Sequence, residues 1–340
     1  MEKIKIGVIG YGYWGPNMVR NFFEAPGSQV IMVSDLRSER LSLVQSRYPT
    51  VRVTQKAGEL IEDPDVDAVV VSTPVSSHYD LALQALQSGK HVLVEKPLTA
   101  TTDQAQSLIE EAERGKRILM VDHTFVYTAA VRKIHDLISS GELGDVYYYD
   151  SVRINLGLFQ HDVSVLWDLA VHDLSIMDYI LPEKPILVSA SGSAHIKGAP
   201  EDVAYLTLHF DSNIIAHVHI NWLAPVKIRR TLIGGSRKMI VYDDLEPSEK
   251  IKIYDKGITL KDNVEDIYKL MVGYRTGDMI APQIDGTEAL RTEANHFLKC
   301  IEEGKRPLTD GQAGFQVVKI LEAATLSIKE KGKPVELINL

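Results

Sequence analysis

The sequence predicts an α/β protein: an N-terminal Rossmann-type, doubly wound parallel sheet, followed by a C-terminal α+β domain with a large, mostly antiparallel sheet. Three observations carry this. Apolar runs rich in Val and Ile alternate with helix-like segments from residue 4 to 123. A G-x-G-x-x-G pattern directly follows the first of those runs. Beyond about residue 180, strand-like runs succeed one another with no helix between them.

In the first region "IKIGVIG", "QVIMVSD", "DAVVVSTP", "HVLVEKP" and "ILMVDHT" are separated by "PNMVRNFFEA", "RSERLSLVQSRY", "SSHYDLALQALQSG" and "TTDQAQSLIEEAERG". Unbroken apolar strands with helices between them imply a parallel sheet covered on both faces. The second region opens with a helix around 129–140, closed by Gly141, then "DVYYYDSVRINLG" and a helical stretch around 167–180. The runs "ILVSASGSAHI", "DVAYLTLHF", "NIIAHVHINWL", "KIRRTLIGG" and "KMIVYDD" follow, some joined by the turn signals "DSN" and "GGSRK", so their sheet is expected to be largely antiparallel. Residues 288–303 and 312–331 return to helical periodicity, with Gly, basic residues and Pro at their ends. The stretch 243–286 has no assignable regularity. The expected division is a dinucleotide-binding domain at 1–123 and a substrate-binding and oligomerisation domain at 124–340, whose C-terminal helices can pack back on the first.

With 340 residues, 45% hydrophobic and 24% charged, the chain is long enough for two cores and too apolar for disorder. The start "MEKIKIGVIGYGYWG" lacks a cleavable-signal pattern, and no run approaches the roughly 20 apolar residues of a membrane span. A cytoplasmic protein is expected. The single cysteine, Cys300, excludes an internal disulfide and a thiolate zinc cluster, and its amphipathic setting marks it as core. The net charge of -9 argues against a general nucleic-acid binder, because such affinity comes mainly from Lys and Arg neutralising phosphates.

In "GVIGYGYWGPN", Gly10 permits a tight turn, Gly12 a close backbone approach to a pyrophosphate, and Gly15 close packing of helix on strand. Tyr13 and Trp14 lie inside this turn, and Pro16 suits the first turn of the helix that follows. The second strand ends in Asp35, twenty residues after Gly15, where a carboxylate can accept hydrogen bonds from an adenosine ribose. Asp35 would repel a 2'-phosphate, which favours NAD over NADP, and the nearby Arg37 softens that preference. Asp35 can equally cap the next helix. The fourth strand ends in Ser72, Thr73 and Pro74, which are expected to border the cofactor, because ligands of open parallel sheets sit outside the carboxyl ends of strands. His78 is either a further cofactor contact or simply a residue of the next helix's first turn.

The fifth strand delivers Glu95 and Lys96 to the same edge. Pro97 stops the ladder and biases Lys96 toward an extended backbone. A lysine partly desolvated beside a nicotinamide can hydrogen-bond a substrate hydroxyl or assist its deprotonation. Further on, "WDLAVHDLSI" spaces Asp168 and His172 four apart, which on a helix places them on one face. An imidazole is the natural acceptor for an alcohol proton near neutral pH. Of the 11 histidines, His172 stands out by this spacing, while Asp173 points elsewhere and reads as structural. No third and fourth ligand accompany Asp168 and His172, so metal catalysis is not expected.

Taken together, the glycine pattern, "STPVSSH", "EKP" closing the fifth strand and "WDLAVHD" resemble the Gfo/Idh/MocA family of NAD(P)-dependent sugar oxidoreductases, in order and over nearly the whole chain. The resemblance implies that Lys96 contacts the reacting hydroxyl and that Asp168 and His172 complete the catalytic group. It also implies a homodimer or homotetramer. "RINLGLFQHD", "VYDDLEPSEKI" and "CIEEGKRPLTDG" look most like members that oxidise the 3-hydroxyl of nucleotide-linked amino sugars, such as UDP-N-acetylglucosamine or its uronate.

Candidates for holding the sugar are Tyr127, Arg153, Asn155, His161 and Arg275, each of which can also be an ordinary polar residue of its element. A nucleotide's diphosphate would need cations, and "KIRRTLIGGSRK" offers Lys227, Arg229, Arg230, Arg237 and Lys238, unless these serve a subunit interface. Two other functions are compatible with the sequence. One is a dehydrogenase of inositol or a free sugar. The other is a cofactor-binding regulatory protein without catalysis, against which the intact Lys96, Asp168 and His172 count.

Overall fold

A computed structural model of the chain describes residues 3–157, 163–260 and 272–337. Its elements run β1 (Ile4–Ile9), α1 (Gly15–Glu24), β2 (Ser28–Ser34), α2 (Ser38–Arg47), β3 (Arg52–Thr54), α3 (Ala57–Ile61), β4 (Ala68–Val71), α4 (His78–Gln87), β5 (His91–Glu95), α5 (Thr102–Gly115) and β6 (Leu119–Asp122). There follow α6 (Ala129–Ser139), β7 (Val146–Leu156), a π-helical turn (Leu166–Ala170) and α7 (Val171–Ile180). The strands β8 (Leu187–Ser193), β9 (Val203–His209), β10 (Ile215–Asn221), β11 (Leu223–Gly235) and β12 (Met239–Asp243) come next. Then come β13 (Ile251–Tyr254), β14 (Gly257–Leu260), β15 (Val272–Arg275), β16 (Met279–Ile280), α8 (Ala289–Glu303), α9 (Gly311–Lys329) and β17 (Val335–Glu336). No described helix is long and apolar enough to cross a membrane.

The chain forms two compact units, one of residues 1–128 with 287–322, the other of 129–286 with 323–340. A cut at 123/124 assigns 287–322 to the second domain; in the structure this segment, with α8 and most of α9, belongs to the first unit. Its local packing shows why. Phe297 of α8 meets Phe22 of α1 edge-on, ring centroids 6.1 Å apart, and both rings are fully buried. Arg20 of α1 pairs with Glu288 at the start of α8 at 2.6 Å.

The first unit holds a six-stranded parallel sheet in the order β3-β2-β1-β4-β5-β6. Every side chain of β4 and of β6 is buried, as a parallel strand covered on both faces requires. Because the strands are parallel, all six carboxyl ends face one edge. Ile9, Val71, Glu95 and Asp122 therefore end beside one another, Glu95 in direct register with Asp122.

The second unit holds a nine-stranded sheet, β16-β13-β12-β11-β7-β10-β9-β8-β17, antiparallel except where β10 runs parallel to β7. Alternation along β7 buries Tyr149, Ser151 and Arg153 on one face. There the Arg153 guanidinium pairs with the Asp173 carboxylate of α7 at 2.6 Å, and Ser151 Oγ donates to Asp173 at 2.6 Å. Much of the stretch without sequence regularity is strand: β13 and β16 extend the large sheet, and β14 and β15 form a separate pair.

A buried charge left without its partner is expensive. Asp173→Ala strands the Arg153 guanidinium and is expected to destabilise the second unit by about 3–5 kcal/mol. Denaturant unfolding of the variant against wild type measures this.

Candidate functional site

The carboxyl edge of the parallel sheet is where the first unit gathers its polar groups. Gly10 has φ +96°, and a Cβ there would overlap the Ser72 carbonyl oxygen at the end of β4. A Cβ on Gly15 would overlap the Gly10 carbonyl oxygen. These two glycines let the turn after β1 fold against its own start and against β4. Gly12 differs: the atom nearest a Cβ there is Arg37 Nη2, at 3.7 Å. Its backbone is open to a ligand. Ser72 Oγ is buried with no hydrogen-bond partner among the described residues, and lies 3.8 Å from a Cβ placed on Gly15. An open backbone and an orphaned hydroxyl at the start of α1 suit a dinucleotide's phosphates.

Asp35 closes β2 in a dense set of donors. Its Oδ2 accepts from the Tyr11 N–H at 2.7 Å, and its Oδ1 from the Arg37 N–H at 2.9 Å and from Arg37 Nε at 3.1 Å. Burial by itself would raise this carboxyl, but the hydrogen bonds from Arg37 and Tyr11 outweigh it and hold Asp35 below the usual carboxylate range. Asp35 thus fixes the glycine turn to the end of β2, and its Arg37 partner is half exposed.

The remaining residues expected near the cofactor divide. Tyr13 is 87% exposed. Trp14 points its indole inward, where Nε1 donates to Asp122 Oδ2 at 2.6 Å. Thr73 Oγ1 accepts from Ser77 Oγ at 2.8 Å, and Pro74 leads into the short turn at 75–77. His78 is a correction: its ring is buried, with Nε2 2.8 Å from the Thr73 carbonyl and Nδ1 2.8 Å from the Pro97 carbonyl. Burial lowers its basicity more than the two carbonyls raise it, and a neutral ring donates through one nitrogen only. His78 sits between the ends of β4 and β5, donates to one of the two carbonyls, and turns neither ring nitrogen toward a ligand.

Glu95 and Lys96 are half-buried at the end of β5, and the Lys96–Pro97 peptide is cis. Beside them lies a buried polar group that sequence reasoning did not find. Asp122, closing β6, accepts from Trp14 and from the Thr124 hydroxyl. His123 is fully buried with neither ring nitrogen hydrogen-bonded among the described residues, and burial, reinforced by the Lys96 charge, pushes it down to about 3. Glu293 of α8 is fully buried as well, and burial together with Asp122 and Glu95 pushes its carboxyl far up. Glu293 has a legible signal: it shares the buried stripe Leu290, Ala294, Phe297, where an apolar residue belongs.

In the second unit Asp168 lies in the π-helical turn and His172 in the first turn of α7. A π turn is a rare device found often at functional sites. Trp222 Nε1 donates to Asp168 Oδ2 at 3.3 Å, and His172 is half-buried. Among the described residues no cluster of His, Cys, Asp and Glu is arranged to hold a metal ion.

The sugar-binding candidates need correction too. Arg153 is 3% exposed and committed to Asp173, so it serves the core of its unit. Tyr127 is 2% exposed, its hydroxyl 2.9 Å from Thr309 Oγ1 and its ring against His296, inside the first unit. Arg275 is tied to Asp255 and to the Arg237 carbonyl. Asn155 is half-buried near the end of β7, and His161 lies outside the described residues. Of the cations in "KIRRTLIGGSRK", Arg229 pairs with Asp244 and Lys238 with Glu142, while Lys227 and Arg230 are exposed.

Compared with known proteins, residues 4–123 match the model of the oxidoreductase family, NAD-binding Rossmann fold, and residues 135–337 that of the same family's C-terminal alpha/beta domain. The chain belongs to the Gfo/Idh/MocA oxidoreductase family. Within it, the chain is 26% identical to a scyllo-inositol 2-dehydrogenase (NAD(+)) of Bacillus subtilis (strain 168), over 99% of this chain and 97% of that protein. It is also 26% identical to a UDP-N-acetylglucosamine 3-dehydrogenase of Acidithiobacillus ferrooxidans, covering 97% of each. A solved structure of UDP-N-acetylglucosamine 3-dehydrogenase from that organism superposes with a TM-score of 0.83 at 25% identity, covering 97% of this chain and 99% of that one.

Removing the Asp35 carboxylate from this Gfo/Idh/MocA protein takes away an acceptor of about 1.5–3 kcal/mol for a hydrogen bond to a charged group. Asp35→Ala is expected to weaken NADH binding by about ten- to a hundredfold, read by fluorescence titration. Because Asp35 is lowered in the folded state, its contribution to stability is complete above about pH 4 and is lost as pH falls through its lowered value. The stability gap between wild type and Asp35→Ala should therefore shrink in acid.

Proposed function

We propose that this protein is an NAD-dependent dehydrogenase that oxidises a secondary hydroxyl, at C3, of a nucleotide-linked amino sugar to the 3-ketone. What carries the reading is Lys96, which β5 delivers half-buried to the same sheet edge as the open Gly12 backbone and the Asp35 carboxylate. Bound NAD supplies the hydride acceptor. The Gly10–Gly15 turn holds the phosphates and Asp35 the ribose. Asp35 favours NAD over NADP, because its carboxylate opposes a 2'-phosphate and also occupies Arg37. Lys96 orients the reacting hydroxyl with its ammonium protons, which also stabilise the developing alkoxide. His172 takes the hydroxyl proton as the C–H bond yields its hydride, and Asp168, fixed by the Trp222 indole, tunes that imidazole electrostatically. The substrate class is supported by the match, over almost the full length of both chains, to a UDP-N-acetylglucosamine 3-dehydrogenase.

A second reading has its own support. Two of the five cations suited to a diphosphate are already paired with carboxylates, and a scyllo-inositol dehydrogenase is matched at the same identity. An inositol or free sugar needs no diphosphate site. Following NADH formation with UDP-amino sugars, inositols and free hexoses, with an oxo-acid present to recycle tightly held cofactor, decides between them. Turnover of UDP-amino sugars supports the first reading, and turnover of inositol alone replaces it with the second.

General acid–base groups contribute about 10²–10⁴-fold. Lys96→Ala is expected to lose turnover on that scale while NADH still binds, and retained turnover overturns its catalytic role. His172→Ala should flatten the acidic limb of the pH–rate profile.

A further inference from the structure

We propose that Asp122 is a positioning residue for the dinucleotide site: through the Trp14 indole it anchors the far side of the Gly10–Gly15 turn, so that the open backbone at Gly12 is held between two carboxylates. This role depends on dinucleotide binding at the turn and is independent of which sugar is oxidised. Every residue it involves lies in the first unit.

The turn after β1 is tied on one side to β2. The Gly10 N–H donates to the Ser34 carbonyl at 2.7 Å, and the Tyr11 N–H to Asp35 Oδ2 at 2.7 Å. Both bonds lie before Gly12. Neither of the next two residues pins the turn with a side chain, because Gly12 has none and Tyr13 is 87% exposed. The tie on the other side is Trp14. It immediately precedes α1, and its carbonyl accepts from the Asn17 N–H at 2.9 Å, while its side chain makes no cap. Instead the indole Nε1 donates to Asp122 Oδ2 at 2.6 Å, at the end of β6, three places from β1 in the sheet order. One residue thus supplies both an early helical acceptor and the indole. Where Asp122 holds the ring, it also sets where α1 begins and where its free N–H groups face a phosphate.

Asp122 is suited to this task. An indole N–H only donates, and a carboxylate can accept at both oxygens. The second oxygen, Oδ1, takes the Thr124 hydroxyl, which fixes the rotation of the group. Asp122 is 1% exposed, so water has little access to its end of the indole bond. On the neighbouring strand, Glu95 stands directly in register with Asp122, and Lys96 follows Glu95. Through Asp122, the phosphate turn is therefore tied to the strand pair that carries Lys96.

The test measures two quantities in wild type, Asp122→Asn, Asp122→Leu, Trp14→Phe and the double variant Trp14→Phe/Asp122→Leu. One is the dissociation constant of NADH, or of NADPH where wild type prefers it, by fluorescence titration. The other is the unfolding midpoint in urea. Asparagine and leucine remove the same charge, and only asparagine keeps an oxygen for the indole. Asp122→Asn is expected to bind the cofactor within about threefold of wild type, and Asp122→Leu and Trp14→Phe about tenfold or more weakly while still folded. Because both break one contact, the double variant should be weaker than Asp122→Leu by no more than about twofold. A bond that serves stability alone would lower the unfolding midpoint and leave the affinity of the leucine and phenylalanine variants at the wild-type value, and that result overturns the proposal. So does a double variant whose loss is the product of the two single losses, or an asparagine variant as weak as the leucine one. If Asp122→Leu does not fold, Trp14→Phe decides, because it keeps an aromatic ring and removes the donor: full affinity overturns the role, and the expected loss supports it. Wild type that binds neither NADH nor NADPH overturns the dinucleotide reading and this role with it, whereas wild type that binds, with unaffected variants, overturns the role alone.

Discussion

The first unit depends on one close approach, that of Gly10 to the Ser72 carbonyl, where no side chain fits. It brings the ends of β1 and β4 together, and Gly15 repeats the device against Gly10 itself. With the turn pressed flat, the backbone at Gly12 stays half-exposed and the amide of Tyr11 reaches Asp35. The parallel order of the strands does the rest, because every polar residue that closes a strand arrives at the same edge. Lys96 owes its place to this arrangement, as do Asp35 and Asp122.

Around that edge, side chains that look alike in composition have opposite duties. Asp35 is held ionised by a guanidinium and two backbone amides, whereas Glu293 is held neutral by burial beside other carboxyls. His78 and His123 are both buried in the same unit, but among the described residues only the His78 ring has hydrogen-bond partners, and those are backbone carbonyls. Environment sets the charge, and the charge sets what each group can hold.

What could be read from the sequence was what repeats or sits at fixed offsets. The alternating apolar runs located the strands and helices of the parallel sheet, and the offset from Gly15 to Asp35 located the acid beside the glycine turn. The successive strand runs located β8 to β12. Misplaced were polar residues whose partner is distant in sequence. Arg153 in "SVRINLG" reads as a ligand contact until Asp173, twenty residues on, claims its guanidinium. Tyr127 reads the same way until Thr309 is seen against its hydroxyl, and His78 until Pro97 is seen against its ring. Glu293 was the reverse, a charged residue on an apolar stripe that an amphipathic reading passes over.

The return of residues 287–322 to the first unit bears on how the chain is completed. During synthesis, the six-stranded sheet emerges first, yet the helix face of Phe22 lacks its partner Phe297, and Arg20 lacks Glu288, until residues 129–286 of the second unit have been made. The first part of the chain to be made thus waits for most of the rest before its core can close. A nascent chain halted anywhere before α8 exposes an apolar flank that belongs inside, and the last residues to dock on that unit bring with them the fully buried Glu293.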